Sequence, residues 1–319
     1  MVAFVRRITE LLRRHVTARR RTGPYRFLIR RWGGISDIDL AIGVLDTQFF
    51  DSELVPMPLP VEQLRSILVL APHQDDETIG AGGTLLLAKR AGVELHVLFV
   101  TDGRPVKAIS YGGATPEEVV KIRNREAEEV CSILGAHIHH LAINNAKPMP
   151  SVGDLDRLSR TIERLAPQVV LVPWLLDTPK HRLVNHLLWL ADRRHPLPNC
   201  EVWGYQVHNS LLPNGYVDIT AVAEEKRKLL ERYTSQFTYQ RRWDHMAIGM
   251  AAWNCRFLRK YKADPVARYV ELYCALPLHE HLKLIESFYL PDLDATYRGN
   301  PRAEGMKQFH RDVVDRKKY

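Results

Sequence analysis

The stretch Ser66-Ile-Leu-Val-Leu-Ala-Pro-His-Gln-Asp-Asp-Glu77 joins a short apolar run to a histidine and three consecutive acids. Residues 66–71 have the length and the continuous apolar character of a strand that is buried on both faces of a parallel sheet. A helix is predicted over residues 79–91, and glycines lie in its first turns. This stretch therefore predicts the first strand and the first crossover helix of an α/β fold.

The same alternation of short apolar runs and helical patterns continues along the chain. Strands are predicted at 93–100, 136–141, 168–172 and 202–207, and helices at 115–134, 155–165 and 182–191. The helix at 115–134 has the clearest boundaries, because Thr115, Pro116 and Glu118 form a helix start and Gly135 a helix stop. The pattern predicts a Rossmann-like, mostly parallel sheet with helices on both faces.

Four segments are expected. Residues 1–33 form a basic amphipathic arm, 34–65 a connector, 66–240 the α/β domain, and 241–319 a helical C-terminal extension packed on the same domain. The clearest helical patterns of the C-terminal part lie at 243–262 and 267–276.

The net charge of +8 is unevenly distributed. The arm contains ten arginines and one acid, Glu10, whereas the rest of the chain is nearly neutral. Its apolar residues recur at three- and four-residue spacing over 4–18, which predicts an amphipathic helix. Such a helix could pack on the rest of the protein or on a second subunit. It could also bind peripherally to an anionic membrane surface. Nucleic-acid binding is disfavoured, because no aromatic stacking series accompanies the arginines.

The chain has no uncharged apolar run of about 18 residues, so no membrane-spanning segment is expected. The four cysteines are scattered and form no CxxC pair. This usage favours a reducing compartment, and hence a cytoplasmic location, with the arm able to hold the protein at a membrane surface. The sequence does not define an oligomeric state.

Residues 72–77 have the composition of a metal site. Neighbouring carboxylates repel one another unless a cation lies close, and open α/β sheets place their sites at the carboxyl ends of the strands. A histidine with a nearby aspartate is a typical start of a zinc site, which needs a third protein ligand. His181 is the best candidate, because its loop follows the strand at 168–172 and opens at the same sheet edge.

The ordered motifs resemble the PIG-L/LmbE-like family of zinc-dependent de-N-acetylases. Pro72–Glu77, Gly80–Thr84 and Thr101-Asp-Gly103 are similar to its N-terminal motifs. Residues 123–127 and 134–135 resemble a helix of the family. Residues 217–220, Lys226 and residues 233–237 resemble its C-terminal motifs. The resemblance spans roughly residues 65–240.

The resemblance implies a hydrolase that removes an N-acetyl group from an amino-sugar unit of a glycolipid, glycan precursor or related glycoconjugate. It implies one zinc ion held by His73, Asp76 and His181, with Asp75 as the general base. Asp75 would take a proton from the attacking water and deliver it to the leaving nitrogen.

The chain departs from the family at one motif. Where the family has H-P-D-H, this sequence reads Thr178-Pro-Lys-His181. The family's first histidine helps to stabilise the tetrahedral oxyanion, and Lys180 and His208 are candidates for that role here. The alternative interpretation is a catalytically weak or inactive glycan-binding relative. The predicted substrate-binding residues are Asp102, Arg104, Thr178, Lys180 and His208. By contrast, His137, His139 and His140 lie along a predicted strand, so their side chains are expected to diverge rather than bind a metal.

Overall fold

The computed structural model describes residues 56–105, 114–237, 242–258, 267–298 and 304–315. The basic arm and most of the connector lie outside these ranges, so the membrane contact and the cytoplasmic location stay predictions. Within the described residues, no helix is both long enough and apolar enough to cross a membrane.

Eight strands of the described residues form one sheet in the order β1-β7-β8-β6-β5-β2-β3-β4. Their bounds are Met57–Pro58 (β1), Ser66–Ala71 (β2), Glu94–Thr101 (β3), His137–Ile143 (β4), Val169–Pro173 (β5), Glu201–Tyr205 (β6), Gly215–Asp218 (β7) and Val270–Pro277 (β8). Every neighbouring pair is parallel except those of β8, which runs antiparallel to β6 and β7. The predicted mostly parallel sheet is confirmed.

The helices of the described residues alternate with the strands. Their bounds are Asp76–Arg90 (α1), Pro116–Leu134 (α2), Val152–Leu165 (α3), Pro179–Arg194 (α4), Ala223–Leu230 (α5), Trp243–Asn254 (α6), Leu278–Phe288 (α7), Leu293–Thr296 (α8) and Glu304–Asp315 (α9). Short 3-10 turns lie at Val61–Gln63, Thr220–Val222, Thr234–Gln236 and Cys255–Phe257.

Local capping explains where the helices begin and end. Thr115 and Glu118 form the predicted capping box of α2, and Gly135 ends that helix with a φ of 67°. A second capping box, Ser151 with Asp154, starts α3 three residues before the predicted position. The capping box therefore starts the helix at Val152, before Leu155, where the apolar pattern had placed the start.

The helix predicted at 267–276 is wrong, because this segment forms β8. Val270 and Leu272 face the core on one side of the sheet, whereas Tyr273 faces the core on the other. This period of two places β8 between β6 and β7, where backbone pairing outweighs the weak local preference for helix. The helical pattern at 243–262 is confirmed as far as Asn254, followed by a 3-10 turn. The C-terminal region therefore contributes a strand to the sheet as well as helices.

Two hydrophobic clusters cover the two faces of the sheet. One contains residues of α3, α4 and α7, and the other contains residues of α1, α2, α5 and α6. Helices therefore lie on both faces of the sheet, as predicted.

A buried ion pair fixes α1 to the rest of the molecule. Lys226 is fully buried, and its Nζ donates to Glu271 Oε1 and to the carbonyl oxygen of Ile79, both at 2.7 Å. The Glu271 carboxylate also accepts from the backbone N–H groups of Gly83 and Thr84 at 2.8 Å. Breaking such a pair leaves an uncompensated buried charge, which costs about 3–5 kcal/mol. This network links α1, α5 and β8.

The buried histidine of α7 gives a test of the packing. His281 is buried, and its Nε2 donates to Asn185 Oδ1 at 2.8 Å. Burial lowers the pKa of His281 to about 3, so the unfolded chain binds a proton between roughly pH 6.5 and 3 that the folded chain does not. The stability contributed at neutral pH is therefore lost as the pH falls.

We expect His281→Gln to weaken this pH dependence. Between pH 7 and pH 5, the wild type should lose about 2 kcal/mol more of its free energy of unfolding than the variant, measured by urea denaturation. His279→Gln is the matched control, because this side chain of the same helix is exposed. Identical pH profiles for His281→Gln and the wild type would contradict the buried, neutral histidine.

Candidate metal centre and active site

The predicted site residues come together at the carboxyl ends of the parallel strands. His73 and Asp76 follow β2, Asp177 and His181 follow β5, and His208 follows β6. The ring centroids of His73 and His181 lie 5.3 Å apart, and those of His181 and His208 4.8 Å apart. The sheet topology therefore brings residues more than 130 positions apart in sequence into one cluster.

His73, Asp76 and His181 form a group that can bind a metal ion. Asp76 Oδ2 lies 2.9 Å from His73 Nδ1 and 3.4 Å from His181 Nε2. One ligand atom from each residue lies within 4.8 Å of the other two. Asp76 and His181 are almost fully buried, so the carboxylate depends on cationic partners for its charge. Two imidazole nitrogens and one carboxylate oxygen are a donor set that suits zinc with one position left open.

Asn145 orients the ring of His73, and sequence analysis missed it. Its Oδ1 lies 3.0 Å from His73 Nε2, which leaves Nδ1 toward Asp76. The Asn145 backbone N–H donates to Asp102 Oδ1 at 2.9 Å, and its Nδ2 donates to the carbonyl oxygen of Arg104 at 2.8 Å. Hydrogen bonds to the second nitrogen of a metal-binding histidine fix its ring and tautomer. The sequence offered one signal for Asn145, its position in the loop that follows the strand predicted at 136–141.

Asp102 and Arg104, the predicted sugar-binding pair, contact each other. Arg104 Nε donates to Asp102 Oδ2 at 3.1 Å, and Arg104 Nη1 donates to Glu117 at 2.7 Å. Through Asn145, Asp102 supports the position of His73. A contact of either side chain with substrate stays a prediction.

Asp177 lies next to the imidazole of His181. It is fully buried and accepts from the backbone N–H of Thr178 at 2.5 Å and of His208 at 3.2 Å. Its Oδ1 lies 3.6 Å from His181 Nδ1. That nitrogen has no hydrogen-bond partner within the described residues.

Asp75 turns away from Asp76. Its φ is 135°, a backbone conformation that side chains rarely adopt, and its Oδ1 lies 3.3 Å from Arg123 Nη2. The same Nη2 donates to the carbonyl oxygen of Gln74 at 2.9 Å. The turn therefore lets the two adjacent carboxylates face different partners, Arg123 for Asp75 and the two histidines for Asp76. A strained backbone of this kind is common at functional sites.

The two aspartates differ in electrostatics. Burial raises the pKa of Asp75 well above its usual range, and the charge of Arg123 opposes that rise. Burial also acts to raise the pKa of Asp76, but His181 and the hydrogen bond with His73 outweigh it and lower the pKa. Burial opposes the protonation of His181, yet Asp76 and Asp177 raise its pKa. Asp76 is thus the better ligand for a cation and Asp75 the better proton acceptor.

Glu77, the third acid of the motif, faces away from the cluster. Its carboxylate accepts from the backbone N–H of Asp75 at 3.1 Å, from Thr78 Oγ1 at 2.6 Å and from Tyr233 OH at 2.5 Å. Burial raises the pKa of Glu77. Glu77 therefore fixes the turn that carries Asp75.

Thr178 and Lys180 belong to the motif that departs from the family, and His208 lies next to His181. Thr178 precedes α4 as its N-cap residue, and Lys180 is half-buried in the first turn. The exposed ring of His208 contacts His181 and also Trp243, whose ring centroid lies 5.5 Å away. Of the predicted substrate-binding residues, His208 has its ring next to the metal-ligand group.

The three histidines of β4 alternate between the two faces of the sheet. His137 and His139 both contact His96, whereas His140 lies against Phe99. The expected divergence therefore holds for His140 but not for the other two. Neither of the two possible metal-ligand groups among the described residues includes them.

The backbone at Asp75 gives a test of the strained turn. Replacing a residue of positive φ by glycine relieves strain of about 1–3 kcal/mol. Asp75→Gly should therefore be more stable than Asp75→Ala by more than the roughly 0.5–1 kcal/mol by which glycine exceeds alanine at an ordinary helix N-cap. Both variants remove the carboxylate, so their difference in free energy of unfolding isolates the backbone.

Arg90, exposed at the other end of α1, supplies the control. Arg90→Ala should be more stable than Arg90→Gly, which is the usual order. The same order at both positions would contradict the strained turn.

Comparison with known proteins finds similarity to a family model and to two characterised enzymes. Residues 68–191 match the PIG-L family model, described as GlcNAc-PI de-N-acetylase. Diacetylchitobiose deacetylase of Thermococcus kodakarensis is 28% identical over 196 residues, which cover 56% of this chain and 72% of that protein. 4-Oxalmesaconate hydratase of Pseudomonas putida is 26% identical over 194 residues, covering 54% of this chain and 74% of that protein.

Solved structures share the fold. N,N'-diacetylchitobiose deacetylase from Pyrococcus horikoshii, complexed with its inhibitor MPG, superposes with a TM-score of 0.58 and 24% identity, covering 77% of this chain and 95% of that one. The matched residues 68–191 contain His73, Asp75, Asp76 and His181. Over residues 68–191 the chain is therefore similar to the PIG-L family of de-N-acetylases, the family that its sequence motifs resemble.

Proposed function

We propose that the protein is a zinc-dependent deacetylase that removes the N-acetyl group from an amino-sugar unit of a glycolipid, glycan precursor or related glycoconjugate. The observation that carries this proposal is the buried group His73, Asp76 and His181 with Asp75 at its side, within the residues that match the PIG-L family model. The similarity to a diacetylchitobiose deacetylase supports the choice of an N-acetylated sugar.

We assign the zinc ligands to His73, Asp76 and His181. When bound, zinc polarises an amide carbonyl and lowers the pKa of a coordinated water. Asn145 and Asp177 orient the two imidazoles from behind, which keeps their ligand nitrogens directed at Asp76.

Asp75 is the proposed general base. Arg123 contacts Oδ1, so we assign the proton transfer to Oδ2. Burial favours the protonated form of Asp75 after it accepts a proton from the attacking water. The same carboxyl group can then protonate the leaving nitrogen, which an amide requires because an amine anion is a poor leaving group.

We assign stabilisation of the oxyanion to His208, since Thr178 stands where the family has a histidine. The exposed ring of His208 contacts the rings of His181 and Trp243. A hydrogen-bond donor beside the carbonyl oxygen stabilises the charge that develops on it. Lys180, in the first turn of α4, is the other donor that the sequence offers at this edge.

Acetate release tests the proposal. The zinc-loaded wild type should release acetate from N-acetylglucosamine conjugates, and Asp75→Asn should lower kcat by about 10²–10⁴-fold because the base is lost. The zinc content of the variant should be unchanged, since Asp75 is not a ligand. Asp156→Asn, a surface substitution on α3, is the matched control and should retain wild-type kcat. Equal acetate release from wild type and Asp75→Asn would remove Asp75 from the mechanism.

Zinc binding tests the ligand assignment separately. The wild type should bind zinc tightly, and His73→Ala or His181→Ala should weaken that binding by at least about 100-fold, since even residues behind the ligands contribute 10–100-fold. His195→Ala, an exposed histidine at the C-terminus of α4, should bind zinc as the wild type does. Dialysis followed by metal analysis gives the stoichiometry, and unaltered zinc in His181→Ala would contradict the site.

A hydratase is the second candidate function, because 4-oxalmesaconate hydratase is 26% identical to this chain. A hydratase adds water across a carbon–carbon double bond, whereas a deacetylase cleaves an amide. Loss of ultraviolet absorbance from an unsaturated oxo-acid without acetate release from any N-acetyl sugar would favour it. A protein that binds zinc and sugar but turns over neither substrate would be the inactive glycan-binding relative.

A further inference from the structure

The imidazole of His181 lies between two carboxylates. Its Nε2 faces Asp76 at 3.4 Å, and its Nδ1 faces Asp177 at 3.6 Å. The side chain is buried, yet Nδ1 has no hydrogen-bond partner within the described residues. A buried polar atom without a hydrogen-bond partner destabilises the folded state. Nδ1 and the Asp177 carboxylate are therefore too far apart for a short hydrogen bond but close enough to bind the same ion.

A second group of residues that can bind a metal ion lies around His181 Nδ1. Asp177, His181 and His208 each offer one atom, and the three atoms lie within 4.8 Å of one another. Each oxygen of Asp177 accepts one backbone N–H and keeps a lone pair for a cation. The ring of His208 lies 4.8 Å from that of His181 on the exposed side, so an ion can enter from solvent.

We propose that Asp177, His208 and Nδ1 of His181 form a second, weaker site for a divalent transition metal such as zinc. Two imidazoles and one carboxylate are the donors that such ions take from proteins. The proposal rests on the positions of these atoms and does not require the deacetylase reaction.

Three features make the second site weaker than the first. When Nε2 already binds an ion, a second ion displaces the proton from Nδ1, and that proton passes to solvent. The N-terminus of α4, which begins at Pro179, adds positive partial charge nearby. The exposed side chain of His208 must also lose conformational freedom on binding. The second ion should therefore bind only when the metal concentration is well above that needed to fill the first site.

Filling the second site has a consequence for the proposed function. The ion takes the His208 ring away from the substrate and replaces the Asp177 contact that orients His181. Excess zinc should thus inhibit acetate release. This consequence, unlike the binding itself, depends on the proposed function.

The test is a zinc titration of the full-length protein. Competition with a chromophoric chelator resolves tight and weak binding, and calorimetry in two buffers of different protonation enthalpy detects the displaced proton. The wild type should show a tight and a weak class, with proton release accompanying the weak one. His208→Ala should retain the tight class, which also shows that it folds, and weaken the second by at least about 100-fold.

Two further variants make the result specific. His208→Asp supplies another ligand and should restore weak binding, whereas His279→Ala, an exposed histidine of α7, should behave as the wild type. Wild-type protein that binds a single zinc ion at any concentration would overturn the proposal. Undiminished weak binding in His208→Ala would also overturn it, because the second ion would then be bound elsewhere. Both outcomes are read from binding, so they are distinct from a failure to release acetate.

Discussion

The buried carboxylate of Asp76 is the interaction on which the arrangement of the site depends. It lies at the start of α1 with an imidazole on each side, and removing it from water is costly unless positive charge compensates it. The helix N-terminus contributes part of that compensation, and the two histidines contribute the rest. His73 lies in the loop after β2, and His181 lies in the first turn of α4, which follows β5; β2 and β5 are neighbours in the sheet. The parallel pairing of these strands is therefore what assembles the centre.

Rigid support lies behind this centre on every side. The Lys226–Glu271 pair and its hydrogen bonds fix the body of α1, and Glu77 fixes the turn before it. Asn145 and Asp177 hold the two imidazoles from opposite directions. The strained backbone of Asp75 is tolerated because these contacts determine its surroundings. A site built in this way places its groups before a substrate arrives, which is where much of the catalytic advantage of an enzyme arises.

The sequence predicted what depends on local signals. The apolar run 66–71 and the capping residues Thr115 and Glu118 defined a strand and a helix start correctly, because burial and capping act over a few residues. The strand β8 was predicted as a helix, since its position between β6 and β7 depends on pairing with distant segments. Asn145 was missed for the same reason: its role follows from a contact with His73, 72 positions away. Proximity of His73, Asp76 and His181 was predictable because the strand order of an α/β sheet constrains where loops meet.

The central proposal is that His73, Asp76 and His181 bind a metal ion and leave one coordination position open for water or substrate. X-ray absorption spectroscopy of the protein loaded with one equivalent of zinc tests it most directly. We predict scattering from two histidines at about 2.0–2.1 Å together with oxygen ligands, and one histidine fewer in His181→Ala. A first shell that contains sulfur, or a spectrum unchanged by His181→Ala, would contradict the claim.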